Sequence, residues 1–342
     1  MIFLRKTFLI IGLSSLVGLP IWIISQAKSF GEKPGIESDS RSIEINSNSA
    51  VAYNDRGITY LNQKKYDLAI ADFNKAISIK RNFAEAYSNR GLVYSEQQKY
   101  DLAIVDFNKS ISINPNAAKT YHNRGLVYSE QQKYDLAIGD YNKAISINPN
   151  LARAYINRGY IYQYKKKYDL AIADYNKAIS INPNLAQTYY NRAVIYSEQQ
   201  KSDLAIKDYS QIIAINPNYI EAYNNRANLY SKQKKYDLAI ADYSQAIAIN
   251  PNFADIYYNR GTIYFQQKKY GLAIPDYNKA IVINPDFAEA YLARGQVWIE
   301  LKEKEIAIRD LETSAKLFKQ RGNIVVYQQI MKYISPFKTK TF

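Results

Sequence analysis

The hydrophobic and polar positions of this chain recur as a block. In Ala84–Ala117, apolar or small residues stand at Tyr87, Gly91 and Tyr94, then at Leu102, Ala103, Phe107, Ser110 and Ile111. Spacings of three and four place each group on one face of an α-helix. The pattern predicts a first helix over about residues 84–98 and a second over about 101–113, each about 20 Å long at 1.5 Å per residue. Asp101 stands where an N-cap or first-turn carboxylate favours the second helix. Asn114-Pro115-Asn116 closes that helix, because Pro115 forces Asn114 toward an extended backbone. The block returns without insertion: an Arg-Gly or Arg-Ala pair stands at Arg56-Gly57, Arg90-Gly91, Arg124-Gly125, Arg158-Gly159, Arg192-Ala193, Arg226-Ala227, Arg260-Gly261 and Arg294-Gly295. A fixed period of this size means a stack of helix pairs, not one globular core.

The strictly filled places resemble those of the tetratricopeptide repeat (TPR) family, whose unit is a helix-turn-helix of 34 residues. Its early aromatic is matched by Tyr53, Tyr87, Tyr121, Tyr155, Tyr189, Tyr223, Tyr257 and Tyr291. Its packing alanine is matched by Ala69, Ala103, Ala137, Ala171, Ala205, Ala239, Ala273 and Ala307. Its terminal proline is matched from Pro115 to Pro285, with Arg81 and Lys319 in the first and last units. The resemblance covers Ala50–Arg321. It implies an all-α fold, a right-handed α-solenoid superhelix of antiparallel helix pairs. The units are 50–83, 84–117, 118–151, 152–185, 186–219, 220–253, 254–287 and 288–321. Residues 322–342 follow as a C-terminal capping helix and tail, with Ile324, Val325, Tyr327, Ile330, Met331 and Ile334 as the apolar stripe. Small residues such as Gly91 and Ala103 allow close approach of two helix backbones, and larger ones overpack at a cost of roughly 1–3 kcal/mol.

The chain departs from the family in several places. Gln98 and Lys166 fill the inter-helix turn where Gly is common. Ile212 replaces the small residue seen at Ala144 and Ala178, so looser or shifted packing is expected between the fifth and sixth units. Pro275 falls in the first turns of a second helix, where few hydrogen bonds are lost. The eighth unit has Lys304 for the turn Tyr and Leu311 for the late aromatic. The residue before the small one, commonly Leu in the family, is Arg in every unit. An Asp follows each at a constant distance: Asp72, Asp106, Asp140, Asp174, Asp208, Asp242, Asp276 and Asp310. Each Arg is expected to bond an Asp of the facing helix, in its own or an adjacent unit. A partly buried bidentate pair of this kind sets register more than it adds stability.

Residues 1–27 read as a membrane anchor or a signal peptide. Arg5 and Lys6 precede an apolar run from Thr7 to Ser25 that is long enough to span a bilayer. Ser25-Gln26-Ala27 also fits the small-x-small pattern of a cleavage site. Either reading places the repeats outside the cytoplasm: membrane-anchored by a single N-terminal pass, or secreted or periplasmic after cleavage. Residues 28–49 read as a flexible linker, rich in Ser, Gly, Pro and charge. Within it Ile43–Asn48 echoes Ile111–Asn116, the end of a second helix. The chain carries a formal net charge of +14 without a block of six like charges. It has no cysteine, hence no disulfide, thiolate nucleophile or cysteine metal site.

Tyrosine occurs 33 times, mostly at repeat-fixed places, exemplified by Tyr87, Tyr94, Tyr100 and Tyr141. Tyr160, Tyr164, Tyr190, Tyr219, Tyr258, Tyr327 and Tyr333 are not demanded by the repeat. In TPR proteins the first helices line a concave groove through places 2, 5, 6, 9, 12 and 13 of each unit. The resemblance puts Tyr160, Tyr164, Tyr190 and Tyr258 on those places, with Phe265 and the single histidine, His122. An exposed aromatic cluster there suits peptide recognition. The family's place-6 Asn, which contacts a bound peptide backbone, is Asn89, Asn123, Asn157, Asn191, Asn225 and Asn259, with Asp55 and Ala293 at the ends. The Lys and Arg of the family's carboxylate clamp are absent from places 5 and 6. Lysines gather in the turns, as at Lys64-Lys65, Lys165-Lys166-Lys167 and Lys268-Lys269, along an edge suited to solvent, an anionic membrane surface or an acidic partner.

One His, no Cys and no Gly-rich phosphate loop leave little from which to build a catalytic centre. No catalytic residue, metal or cofactor is expected. The chain reads as a non-catalytic interaction scaffold, of the assembly-factor kind, that binds a protein segment in its groove at a membrane. The alternative is a nucleic-acid-binding repeat protein that uses its basic surface.

Overall fold

A computed structural model describes residues 48–338 of the protein. The anchor or signal expected in residues 1–27, and the linker up to residue 47, lie outside the described residues. Among the described residues every regular element is an α-helix, and none is long and apolar enough to cross a membrane.

The chain divides into two compact units, Met1–Pro183 and Asn184–Phe342. The first holds α1 (Ala50–Asn62), α2 (Tyr66–Ile79), α3 (Ala84–Glu96), α4 (Tyr100–Ile113), α5 (Ala118–Glu130), α6 (Tyr134–Ile147), α7 (Ala152–Tyr164) and α8 (Tyr168–Ile181). The second holds α9 (Ala186–Glu198), α10 (Ser202–Ile215), α11 (Ile220–Lys232), α12 (Tyr236–Ile249), α13 (Ala254–Gln266), α14 (Tyr270–Ile283), α15 (Ala288–Glu300), α16 (Lys304–Gln320) and α17 (Ile324–Lys338). Odd-numbered helices up to α15 open a repeat and even-numbered ones close it. Within each unit a helix packs on its pair partner, and each closing helix packs on the opening helix that follows. Opening helices also touch one another, α1 with α3 and α3 with α5 in the first unit, α11 with α13 and α13 with α15 in the second.

The turn inside each pair is a left-handed cap made without glycine. Gln98 has φ 58° and Lys166 φ 55°, and Lys64, Gln132, Gln200, Lys234, Lys268 and Lys302 match them. The Lys99 N–H donates to Tyr94 O at 2.8 Å and the Gln98 N–H to Ser95 O at 2.9 Å. Those two bonds satisfy the last carbonyls of α3 in a Schellman motif. The second helix then begins at Tyr100, one residue earlier than its sequence pattern suggests. Its N-cap is Lys99, which makes no side-chain bond, and Asp101 lies in the first turn. Asp101 is therefore a dipole-favouring carboxylate and not a cap. At the far end Asn114 is extended (φ −129°, ψ 90°), and its Oδ1 accepts from the Asn116 N–H across Pro115.

Each pair closes on small residues. A Cβ added at Gly91 would sit 2.9 Å from the Phe107 ring, and one at Gly57 would sit 2.7 Å from Phe73. The packing alanines Ala69 to Ala307 are wholly buried beneath them. Ile212 is wholly buried as well, and α10 keeps the length of its counterparts. Pro275 lies inside α14, which runs through it. In α17 the buried stripe is Val326, Ile330 and Ile334, four residues apart and turned toward α16. Ile324 and Val325 are exposed, because the helix begins at Ile324 and its inward face starts at Val326.

Candidate binding face of the opening helices

The arginines frame the face without forming part of it. In all eight repeats Nε and Nη2 donate to both carboxylate oxygens of the Asp sixteen residues on, as in Arg90–Asp106 at 2.7 Å for each bond and Arg226–Asp242 at 2.8 and 2.7 Å. The pair joins the two helices of one repeat. These carboxylate bonds hold the Arg90 guanidinium above its usual pKa. Two tyrosines of the same helix sandwich each guanidinium in the first seven repeats, for example Tyr87 and Tyr94 with ring centroids 5.5 and 6.0 Å from Arg90. Most of the repeat-fixed tyrosines are thus accounted for by the arginine. The third donor reaches back to the closing helix of the repeat before, from Arg90 Nη1 to Asn74 and from Arg226 Nη1 to Ser210. That bond was not legible beforehand, although Asn or Ser recurs sixteen residues ahead of the arginine.

A second ladder links opening helices directly, from place 6 of one repeat to place 5 of the repeat before. Asn89 Nδ2 donates to Asn54 Oδ1 at 2.9 Å, Asn157 Nδ2 meets His122 Nε2 at 3.0 Å, and Asn225 Nδ2 donates to Tyr190 OH at 3.3 Å. Asn123 Oδ1 lies 3.3 Å from His122 Nδ1, and Asn191 Oδ1 accepts from Gln187. The amides of Asn89, Asn157 and Asn225 thus join neighbouring repeats, whereas Asn123 and Asn191 bond within their own helices. Asn89 is buried, whereas Asn123, Asn157, Asn191, Asn225 and Asn259 are half-buried.

The expected open aromatic surface divides into three groups. His122 and Tyr190 are buried at 7% and 5% exposure, contrary to that expectation. His122 packs on Tyr141 at 5.8 Å, and burial lowers its pKa from 6.5 to about 4. Tyr190 stacks on Tyr219 at 5.8 Å and meets Tyr209 edge-on at 6.0 Å. Tyr258 packs between Tyr277 and Phe287, and burial pushes its hydroxyl up to about 12. All three rings stand at place 5 and fill the joint between consecutive repeats, which excludes water from His122 and Tyr190 and leaves Tyr258 half-buried. Phe265 is half-buried against Tyr270. Tyr160 is half-buried, and Tyr164 is the aromatic that stands open, at 60% exposure. Its ring lies 5.1 Å from Tyr134, which fills the repeat-fixed place of Tyr100.

The turn lysines are solvent-facing, apart from the half-buried Lys165. Its Nζ reaches Asp135 of the preceding repeat at 2.5 Å. Among the described residues no three His, Asp or Glu come together in a way that could hold a metal ion.

The sequence matches the tetratricopeptide repeat model seven times in succession, at residues 50–83, 84–117, 118–151, 152–185, 186–219, 220–253 and 254–287. The eighth helix pair, α15 with α16, lies beyond those matches but keeps its Arg294–Asp310 pair. The fold is similar to the C-terminal part of a TPR repeat-containing protein from Cytophaga hutchinsonii. That likeness has TM-score 0.61 and 20% identity over 69% of this chain and 97% of the other. It is also similar to PilF of Pseudomonas aeruginosa, with TM-score 0.54 and 19% identity over 64% of this chain and 97% of that one. No curated protein matches the sequence.

Proposed function

The chain belongs to the tetratricopeptide repeat family of protein–protein interaction scaffolds, and from that premise we propose that it captures a segment of a partner protein against its opening helices, at a membrane. The observation that carries this reading is the cluster Tyr134, Tyr160 and Tyr164, with Tyr164 at 60% exposure. Neither Tyr160 nor Tyr164 is required by the repeat, and an open aromatic at this density is suited to anchoring a peptide. Asn157 stands on the same opening helix, α7, and Asn123 on the opening helix before it, α5, and both offer half-buried amides to a peptide backbone. His122 and Tyr190, first expected to touch the partner, act instead as supports beneath the face. The apolar run from Thr7 to Ser25 motivates a tether at, or export across, a membrane. The intact mass of the membrane-associated protein separates the tether from a cleaved leader.

A photoreactive residue in place of Tyr164 is expected to give a discrete adduct in cells. The same residue in place of the exposed Val282 is expected to give none. The double variant Tyr160→Ala, Tyr164→Ala should weaken partner binding roughly tenfold or more and leave the thermal midpoint unchanged. Equal crosslinking at both positions, or full binding by the double variant, refutes the reading.

A further inference from the structure

The closing helices of the first unit carry an outward stripe that the partner-binding face does not use. Leu68, Leu102, Leu136 and Leu170 occupy one place in four successive repeats, with 48–54% of each exposed. A scaffold that needed them for packing would have covered them. Along α4 the stripe reads Leu102, Val105 and Lys109, preceded by the N-cap Lys99, and Val105 is 63% exposed. At 3.6 residues per turn these four lie within an arc of about 120°. The other three closing helices repeat the order with a small residue in the place of Val105 and lysines at both ends. The first-turn aspartates beside the stripe are turned sideways in two of the repeats, with Asp101 accepting from Gln131 and Asp135 from Lys165.

An apolar centre between two lysines suits an interface of hydrocarbon and anionic headgroups, where the lysine stems lie along the apolar zone and the ammonium groups reach phosphate. The lack of variation among the four leucines favours a flat, uniform partner over a segment of unique sequence. The N-terminal apolar run brings such a surface close: residues 26–49 span at most roughly 85 Å at about 3.5 Å per residue. We infer that the outward faces of α2, α4, α6 and α8 lie against an anionic bilayer, the leucines entering the headgroup region and the flanking lysines pairing with lipid phosphate. This rests on the membrane part of the proposed function and is independent of the partner-binding face.

The chain has no cysteine, so one environment-sensitive fluorophore can be placed at a chosen site. Leu136→Cys in the full chain, labelled and reconstituted into vesicles of phosphatidylcholine with phosphatidylglycerol, is expected to brighten several-fold and shift to the blue. The signal should be absent in phosphatidylcholine alone and should collapse at about 1 M salt, where the screening length is about 3 Å. A label at Glu85→Cys, exposed on the opening helix α3, should not respond. Adding Lys133→Glu and Lys143→Glu should remove the response at position 136. Equal emission in both vesicle types, or an equal response at position 85, overturns the inference and leaves the tether standing. A response without vesicles that grows with protein concentration overturns it in favour of self-association. Failure of the full chain to float with either vesicle removes the tether and the stripe's membrane together.

Discussion

His122 shows how a single side chain is reassigned by its surroundings. Its Nε2 faces the Asn157 amide donor and its Nδ1 faces Asn123 Oδ1. That arrangement puts the proton of the neutral ring on Nδ1. Burial lowers the folded-state pKa to about 4 from 6.5, so the unfolded chain takes up the proton first as pH falls. The stabilisation is complete above pH 6.5 and is lost between there and about pH 4, on the order of 3 kcal/mol. Urea midpoints at pH 7 and pH 5 should differ more in the wild type than in His122→Gln. Equal differences would show that the ring titrates in water. The turn residues are a second case. Gln98 and Lys166 hold φ near +57°, a conformation that costs a side chain about 1 kcal/mol relative to glycine. Gln98→Gly should raise the urea midpoint, corresponding to a gain in unfolding free energy of a few tenths to about 1 kcal/mol, the greater freedom of unfolded glycine offsetting part of the gain. A lower midpoint would mean that the side chain itself braces the turn. The sequence marked both residues as unusual. It could not show that one is enclosed by rings and amides from other helices, or that the other is held left-handed by the bonds behind it.

At the scale of the helix, the arginine–aspartate pair was legible because it repeats with the period of the fold. Two residues sixteen apart meet only if a turn of fixed length returns the second helix alongside the first. In Arg226→Leu, Asp242 keeps its burial and loses both bonds to the guanidinium. The expected loss is roughly 3 kcal/mol, and replacing both partners by apolar residues should recover most of it. A chemical-denaturation series on the two single variants and the double tests this, and additive losses would deny the coupling. Helix ends were legible to within about two residues, since Asn-Pro-Asn and the turn lysines and glutamines announce them. In α17 the stripe's Ile330 and Ile334 face inward as expected, whereas its first turn does not, since Val326 is buried in place of Ile324 and Val325. Its register depends on where the chain leaves the Gly322 turn and meets α16, and no periodicity within α17 contains that information.

At the scale of the whole molecule, repeats within each compact unit touch their sequence neighbours, so stability there accrues from joints between adjacent helix pairs. The last joint is closed by Ile330 and Ile334 of α17, both wholly buried. Ile330→Ser with Ile334→Ser should lower amide-exchange protection in α15 and α16 while protection in residues 50–147 is unchanged. Loss of protection throughout would show one cooperative fold in place of nearest-neighbour coupling. The sequence alone determined the family, the repeat boundaries, the helix pairs and the arginine–aspartate ladder. Each is a relation between residues at constant spacing, which the chain states eight times over. Only the tertiary structure decided which aromatics are open. Tyr190 and Tyr164 both stand on the same kind of helix at places assigned to one surface, yet one fills a joint between repeats and the other faces water. The physical reason is that exposure depends on the volume left between neighbouring helices, and side chains distant in sequence set that volume.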